Sequence, residues 1–504
     1  MAENTEPKQI LAHFTVQGTD HAGALNLDGP NTKLDIFSDE FLHLQDDEMN
    51  CVRGVSKEGV SISAIYCVPL TISGSASYHG KHKRYMTLQP NYVVLGAHYL
   101  EPEACVITSI SFTFTEANHL FYELGTFGHI IGEHRLSFGQ LREILRGVKR
   151  APKHRRRGGH LELYYQWDRG PIIEASCNVG TITIWNATSE RFPSSDGLEL
   201  RNRARVTCSF TTPLNLEAAL RLVWQIMSLF ELVTQSCQNV EDVTLEHKDA
   251  EEHTQLRLHL IHREPEKVQS VIPTDALVNG GLHEDEFKKV LTQWMDTAEP
   301  RRAARQRFIE GFRSNHRYRT ERLIGAANAF DLLPASDFTK QGALPEEVEG
   351  LLTSFESQVK AASKTSGTVN EYRERILNNL GLVRGLNLRN KVLQRWATVP
   401  SCIATRLPAM PEAIAHSIRA RNFFVHGSPL PMATESVYEL SSSFTDTLEF
   451  IFGVSELSEC GWDTDRWNKE HYSLSRYKWY ISNFPEYMKR VDTAVAKSKT
   501  TAAS

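Results

Sequence analysis

The spacing of apolar residues differs between the two halves of this chain. From about residue 10 to 210 the pattern has a period of two: Ile110, Phe112 and Phe114 alternate with Ser111, Thr113 and Thr115. That puts β-branched and aromatic groups on one face of a strand and hydroxyls on the other. Similar short runs recur at 60–69, 92–100, 161–167, 181–185 and 203–210, with Gly, Pro, Asn and Asp in the gaps. No helical pattern separates them, so an antiparallel sandwich or barrel is expected rather than a βαβ sheet. A helix at 214–235, with Leu216, Leu220, Val223, Trp224, Met227 and Phe230 on its apolar stripe, and a strand at 255–263 complete this half.

After residue 263 the pattern loosens through Glu264-Pro-Glu-Lys and Ile272-Pro-Thr, and beyond it the period is helical. Phe287, Val290, Leu291, Trp294 and Met295 share one helix face, and Pro300 is expected to end that helix. Residues 301–333 form one long helix or two short ones. Their arginines (301, 302, 305, 307, 313, 317, 319 and 322) suit either an RNA-backbone track or a solvated face balanced by Glu310 and Glu321. Further helices are expected at 345–359, at 371–383 behind a Thr368/Glu371 capping box, at 388–398, and around Val437, Leu440, Phe444, Leu448 and Ile451, with a frayed end at 494–504. The expected fold class is α+β. A β-rich domain spans 1–265, a linker 266–282, and an all-α bundle 283–504.

Composition adds exclusions. A formal net charge of -5 over 504 residues argues against a protein that coats a polyanion, so any nucleic-acid site is local. The most basic run, 146–160, reads as a Gly- and Pro-containing loop without interleaved aromatics, a solvated tip rather than a base-stacking surface. The eight cysteines show neither a Cys-x-x-Cys pair nor a His partner at zinc spacing, and Cys67 and Cys105 sit in apolar runs. Reduced core thiols in a cytoplasmic protein are the expectation, with no membrane association. No Walker-type loop or His-Glu-x-x-His is present.

The chemistry concentrates at 410–427, Met-Pro-Glu-Ala-Ile-Ala-His-Ser-Ile-Arg-Ala-Arg-Asn-Phe-Phe-Val-His-Gly. Pro411 suits a first helical turn, and Gly427 a left-handed residue just past the end. Ile414, Ile418 and Val425 form the apolar stripe, which leaves Arg421, Asn422 and His426 in the last turns. A guanidinium that forks onto phosphate and an imidazole that titrates near neutrality suit phosphodiester cleavage. Arg419 adds a cation on the His426 side. On a regular helix Arg421 and His426 point about 140° apart, so either the helix distorts or a second copy completes the site. The competing reading is an exposed helix end whose cations favour the dipole, with His426 as a capping group.

Arg-Asn-x-x-x-His closing a helix resembles the RNA-cleaving motif of HEPN domains. A β-rich first half followed by a helical half with that motif resembles the ApeA-like anti-phage defence proteins. The resemblance implies a metal-independent endoribonuclease that halts growth during infection, with tRNA a candidate target and a homodimer built through the helical half. In that chemistry the RNA 2′-hydroxyl is the internal nucleophile and no cofactor or metal is required. His426 is the general base or acid, Arg421 holds the phosphate, Asn422 positions either, and Arg419 binds substrate. The β half, which has no nuclease motif, is expected to pack on the helical half and restrain it until a phage-derived trigger binds. The alternative is a non-catalytic dimeric sensor whose β domain recognises a protein or glycan.

Overall fold

The computed structural model describes residues 8–39, 42, 49–78, 81–121, 127–131, 161–165, 170–194, 197–249, 255–261, 275–313, 320–338, 346–384, 386–470 and 474–503. The basic run 146–160 and most of the expected linker, 266–274, lie outside the described residues, as do Arg317 and Arg319. The chain forms two compact units, Met1–Asp296 and Thr297–Ser504. The first is dominated by antiparallel strands and the second by helices, which makes the fold α+β.

In the first unit the strands are β1 (Lys8–Val16), β2 (Thr19–Leu27), β3 (Lys33–Ser38), β4 (Cys51–Ser56), β5 (Ser61–Ile65), β6 (Val68–Tyr78), β7 (Lys81–Gln89), β8 (Tyr92–Gly96) and β9 (Ile107–Phe114). They continue with β10 (Phe127–Ile131), β11 (Leu161–Tyr165), β12 (Ile173–Cys177), β13 (Gly180–Ser194), β14 (Gly197–Leu214), β15 (Val240–His247) and β16 (Gln255–Leu260). Fourteen of them form one ladder, in the order β12-β13-β14-β9-β15-β16-β8-β5-β4-β1-β2-β3-β7-β6, while β10 and β11 pair separately. The antiparallel pairing is as expected, and it takes the form of one continuous ladder. Phe14 is fully buried in a core with Leu25, Leu34, Ile36, Ile62 and Leu88. Gly23 and Gly54 flank its ring so closely that a Cβ would stand 2.7 and 2.5 Å from ring carbons. Two neighbouring strands therefore carry glycine to make room for one aromatic.

The alternation along β9 is as expected: Ile110, Phe112 and Phe114 are buried, and on the other face Ser109 donates to Glu246 (2.7 Å) and Thr113 to the Ala204 carbonyl (2.8 Å). Helix α1 (Leu216–Thr234) starts at Asn215, whose Oδ1 accepts from Ala218 N at 2.9 Å, and ends at Gln235 in the left-handed region. Helix α2 (Glu284–Asp296) belongs to this unit, not to the bundle. Trp294 Nε1 donates to Gln225 O at 3.0 Å, and Phe287 packs 5.1 Å from Phe121. The stretch before it is tied down as well, with Leu277 N donating to Val233 O at 2.9 Å. The boundary expected at 266–282 thus falls instead between Asp296 and Thr297. An amphipathic helix goes with whichever core takes its apolar stripe, and sequence spacing does not say which.

The second unit comprises α3 (Ala298–Arg313), α4 (Thr320–Asp331), α5 (Glu346–Ala362), α6 (Gly367–Arg384), α7 (Leu388–Ala397), α8 (Met410–His426), α9 (Thr434–Glu459) and α10 (Arg476–Ala503). Pro300 sits in the first turn of α3 instead of ending α2, because a proline's missing N–H is harmless there. Helix α6 is capped by Ser366, whose Oγ accepts from Val369 N at 3.4 Å, rather than by Thr368. Helix α10 runs to Ala503 where a frayed end was expected.

Of the arginines of α3 and α4, Arg302 and Arg313 are exposed and Arg307 pairs with Glu310 at 2.6 Å, as a solvated face requires, but others fit neither reading. Arg305 and Arg322 are buried, as is Arg395 on α7. All three turn inward to glutamates of α9. Arg305 Nε reaches Glu456 at 2.8 Å, Arg395 Nη2 reaches Glu456 at 2.9 Å, and Arg322 holds Glu449 through two bonds of 2.7 and 2.9 Å. Arg301 also bonds Glu456 (3.0 Å), and Arg476 bonds Glu449 (2.6 Å). Burial alone would raise both glutamates, but Arg476 and Arg322 hold Glu449 below the usual carboxylate value, and Arg305, Arg395 and Arg301 do the same for Glu456. These charges are structural and are not presented to RNA. None of the eight cysteines forms a disulfide among the described residues. Cys67 and Cys460 are buried with thiols pushed up to about 12 by desolvation, whereas Cys105 is exposed, contrary to its apolar neighbours.

Candidate functional site

Helix α8 has the limits its sequence foretells. Pro411 lies in the first turn, and Gly427 caps the end at φ 66°, its N–H donating to Phe423 O at 2.9 Å. Met410, Ala413, Ile414, Ser417, Ile418 and Ala420 are buried and fix the helix in the bundle. Val425 departs from the expected stripe and is 41% exposed, since the helix end projects beyond the core. Next to it Phe424 packs edge-on to Tyr438 of α9, with ring centroids 5.4 Å apart.

Arg421 and Asn422 are half-buried, and His426 and Arg419 are exposed. The Arg421 guanidinium gathers the motif: Nη1 donates to Asn422 Oδ1 at 3.1 Å and lies 3.3 Å from His426 Nε2, while Nη2 donates to Asn328 Oδ1 at 3.0 Å. Arg421 and His426 of one helix therefore meet, without distortion and without a second copy. The 140° divergence on a regular helix describes where side chains leave the axis. It ignores the reach of an arginine, whose long stem spans more than one turn. The geometric reason given for a two-chain site falls with it.

An arginine only donates, so Nε2 of His426 is the acceptor in this contact and a neutral ring carries its proton on Nδ1. Three of the five guanidinium N–H groups are engaged by these contacts, which leaves two, and Nε is buried without a hydrogen-bond partner. Arg419 stands apart from this cluster, seven residues or about 10 Å of axial rise before His426 on the same side. His416, one turn further in, is half-buried, and burial together with the charge of Arg419 pushes its imidazole down.

Asn328 escaped the sequence reading. It lies in Gly-Ala-Ala-Asn-Ala-Phe of α4, and an amide inside a run of small apolar residues is the one signal that marks it. The same Arg-to-His spacing also occurs in the sequence at Arg155 and His160 and at Arg466 and His471; Arg155, His160 and His471 lie outside the described residues. Arg466 is in a six-residue helix and pairs with Glu470 at 2.6 Å.

Residues 13–294 match the family model described as ApeA N-terminal domain 1, more than half of the chain. The chain belongs to the ApeA family. The matched stretch ends two residues before the first compact unit does, so the ApeA domain is the sheet together with α1 and α2. Membership in this family implies a role in anti-phage defence. No curated protein and no solved structure matches the chain. Among the described residues, no helix is long and apolar enough to cross a membrane.

Proposed function

We propose that this ApeA-family chain is an endoribonuclease that acts in anti-phage defence by abortive infection, with a HEPN-type site at the end of α8. The observation that carries this reading is the 3.3 Å approach of Arg421 Nη1 to His426 Nε2, with Asn422 and Asn328 holding the same guanidinium. An oriented cation beside an exposed imidazole is the minimum needed to cleave RNA through its own 2′-hydroxyl. A phosphate on the remaining Nη2 N–H of Arg421 brings the adjoining ribose 2′-hydroxyl and the leaving oxygen within reach of His426. His426 then takes the 2′-proton or protonates the leaving 5′-oxygen, and Arg421 offsets the charge that develops on the phosphoryl oxygens. Asn422 and Asn328 keep the fork aimed. Arg419, on the same side and two turns back, holds a neighbouring phosphate of the strand. The 2′-hydroxyl route requires no separate nucleophile and no metal, and its products carry 2′,3′-cyclic phosphate and 5′-hydroxyl ends.

The test is incubation of purified protein with total RNA and with tRNA, with and without EDTA. Cleavage that survives EDTA, leaves cyclic phosphate ends and disappears in His426→Ala supports the assignment. Intact RNA under conditions where the protein is folded would favour a non-catalytic binding protein instead. Dimerisation through the helical unit is part of the proposal. It rests on the family resemblance and on the exposure of Val425 (41%) and Tyr438 (59%) beside the motif.

A further inference from the structure

One register row crosses five strands of the first unit. Thr183 on β13 pairs with Thr207 on β14, Thr207 with Ser111 on β9, Ser111 with Thr244 on β15, and Thr244 with Arg257 on β16. Directly paired residues share a face, so four hydroxyls and a guanidinium stand in line on the side of the sheet opposite Ile110 and Phe112. Beside the row, Trp185 and Arg205 are directly opposed on β13 and β14. Ser111, Trp185, Arg205, Thr207, Thr244 and Arg257 line a cavity of about 660 Å³, within the range of small-molecule sites. A second cavity of about 270 Å³ shares Ala187 and Arg205 and adds Arg201 and Arg203.

The direction of the hydrogen bonds decides what this cavity complements. Trp185 Nε1 donates to Thr207 Oγ1 at 3.1 Å, and Arg205 Nη2 donates to Thr244 Oγ1 at 2.6 Å. Indole and guanidinium only donate, so both fill acceptor positions of the hydroxyl row. Of Thr207 and Ser111, one hydroxyl donates to the other across 2.8 Å. The Thr244 proton and one of the Thr207/Ser111 pair have no acceptor among the described residues. At the end of the row the Arg257 guanidinium is exposed and makes no hydrogen bond or ion pair with a described residue. Of the two carboxylates on the rim, Asp242 is paired with Arg203, and Glu246 accepts from the neutral Ser109 hydroxyl at 2.7 Å and keeps its charge, which the guanidinium groups of Arg205 and Arg257 outnumber. What remains open is a donor-lined floor between two guanidinium groups, with a half-buried indole at one wall.

We propose that this cavity binds a phosphorylated small molecule of the nucleotide class. Its phosphate oxygens lie on Arg257, Arg205 and the Thr244 hydroxyl, and its base lies against Trp185. The proposal holds whether or not the helical unit cleaves RNA. Isothermal titration of the full chain with ATP, GTP, CTP and UTP, and separately with inorganic phosphate, tests it. At least one nucleotide should bind, with inorganic phosphate competing but at least tenfold weaker. Arg257→Gln and Trp185→Leu should each weaken nucleotide binding tenfold or more. Because Arg257 has no partner among the described residues, Arg257→Gln should keep the parent melting temperature, which separates lost binding from lost fold. Failure of all four nucleotides to bind at millimolar concentration would overturn the proposal. So would unchanged binding in Arg257→Gln, or equal affinity for inorganic phosphate.

Discussion

Arg421 has the most contacts of the motif residues, and its neighbours divide into those that meet substrate and those that aim it. His426→Ala removes an exposed side chain, so its stability cost should stay within about 0.5 kcal/mol. Loss of general acid–base catalysis should lower cleavage by roughly 10²–10⁴-fold. Arg421→Ala should cost a comparable factor in rate through lost charge stabilisation. Cleavage assays at matched melting temperature check both, and activity equal to the parent in either variant contradicts the assignment. Asn328→Ala leaves every motif residue in place and frees only one end of the guanidinium. It should lower the rate by about 10- to 100-fold through misaiming, with Asn328→Gln recovering less than the parent because the longer amide displaces the fork. A rate unchanged in Asn328→Ala would mean that α4 plays no part in positioning Arg421.

At the scale of elements, α9 organises the helical unit through two glutamates seven residues apart, Glu449 and Glu456, on one stripe of the helix. Each is fully enclosed and matched by arginines from neighbouring helices, so α3, α4 and α7 are held to α9 by charge as well as by packing such as Phe308 against Phe452, 4.6 Å between centroids. Breaking one partner leaves buried guanidinium groups uncompensated. Glu456→Ala should therefore destabilise by about 3–5 kcal/mol, measured by denaturant unfolding. The pH dependence follows from the lowered carboxyl values. Their contribution is fully present above the ordinary glutamate range. It is lost as the pH falls toward the lowered folded values, because the unfolded chain takes up protons there that the folded chain refuses. The melting temperature should hold near neutrality and drop in acid, and the drop should shrink in Glu449→Gln. A parent whose melting temperature is the same on both sides of the glutamate range contradicts this role.

For the whole molecule, the division at Asp296/Thr297 determines how the parts are to be separated. A fragment beginning at 283 would carry α2 without the Phe121 and Gln225 partners it packs on. Residues 297–504 are the appropriate piece. If the ApeA domain senses the trigger and restrains the nuclease, this fragment, once shown to be helical by circular dichroism, should be more toxic to cells than the full chain. The excess should vanish with His426→Ala. A folded but inert fragment beside a full chain that becomes active during infection would assign the ApeA domain to building the site or delivering RNA. A trigger acts only through a difference in affinity between restrained and active states, so tight binding by itself predicts no activation. Sedimentation of the full chain checks the dimer, which a fully active monomer would exclude.

Local physics was legible in the sequence. The alternation along β9 and the limits of α8 from Pro411 to Gly427 are set by neighbours within a few residues, so spacing and backbone preference suffice to read them. The candidate site was half legible for the same reason: Arg421, Asn422 and His426 are neighbours in the chain, whereas Asn328 is 93 residues away and joins them only when α4 packs on α8. Partner choice across distance belonged to the tertiary structure. An arginine-rich helix looks alike whether it faces solvent, RNA or a glutamate, and only the burial of Glu449 and Glu456 decides for the last. The amphipathic stripe of α2 required burial without naming the core that provides it. The row from Thr183 to Arg257 brings together residues from five strands through pairing register, which no single strand's sequence contains.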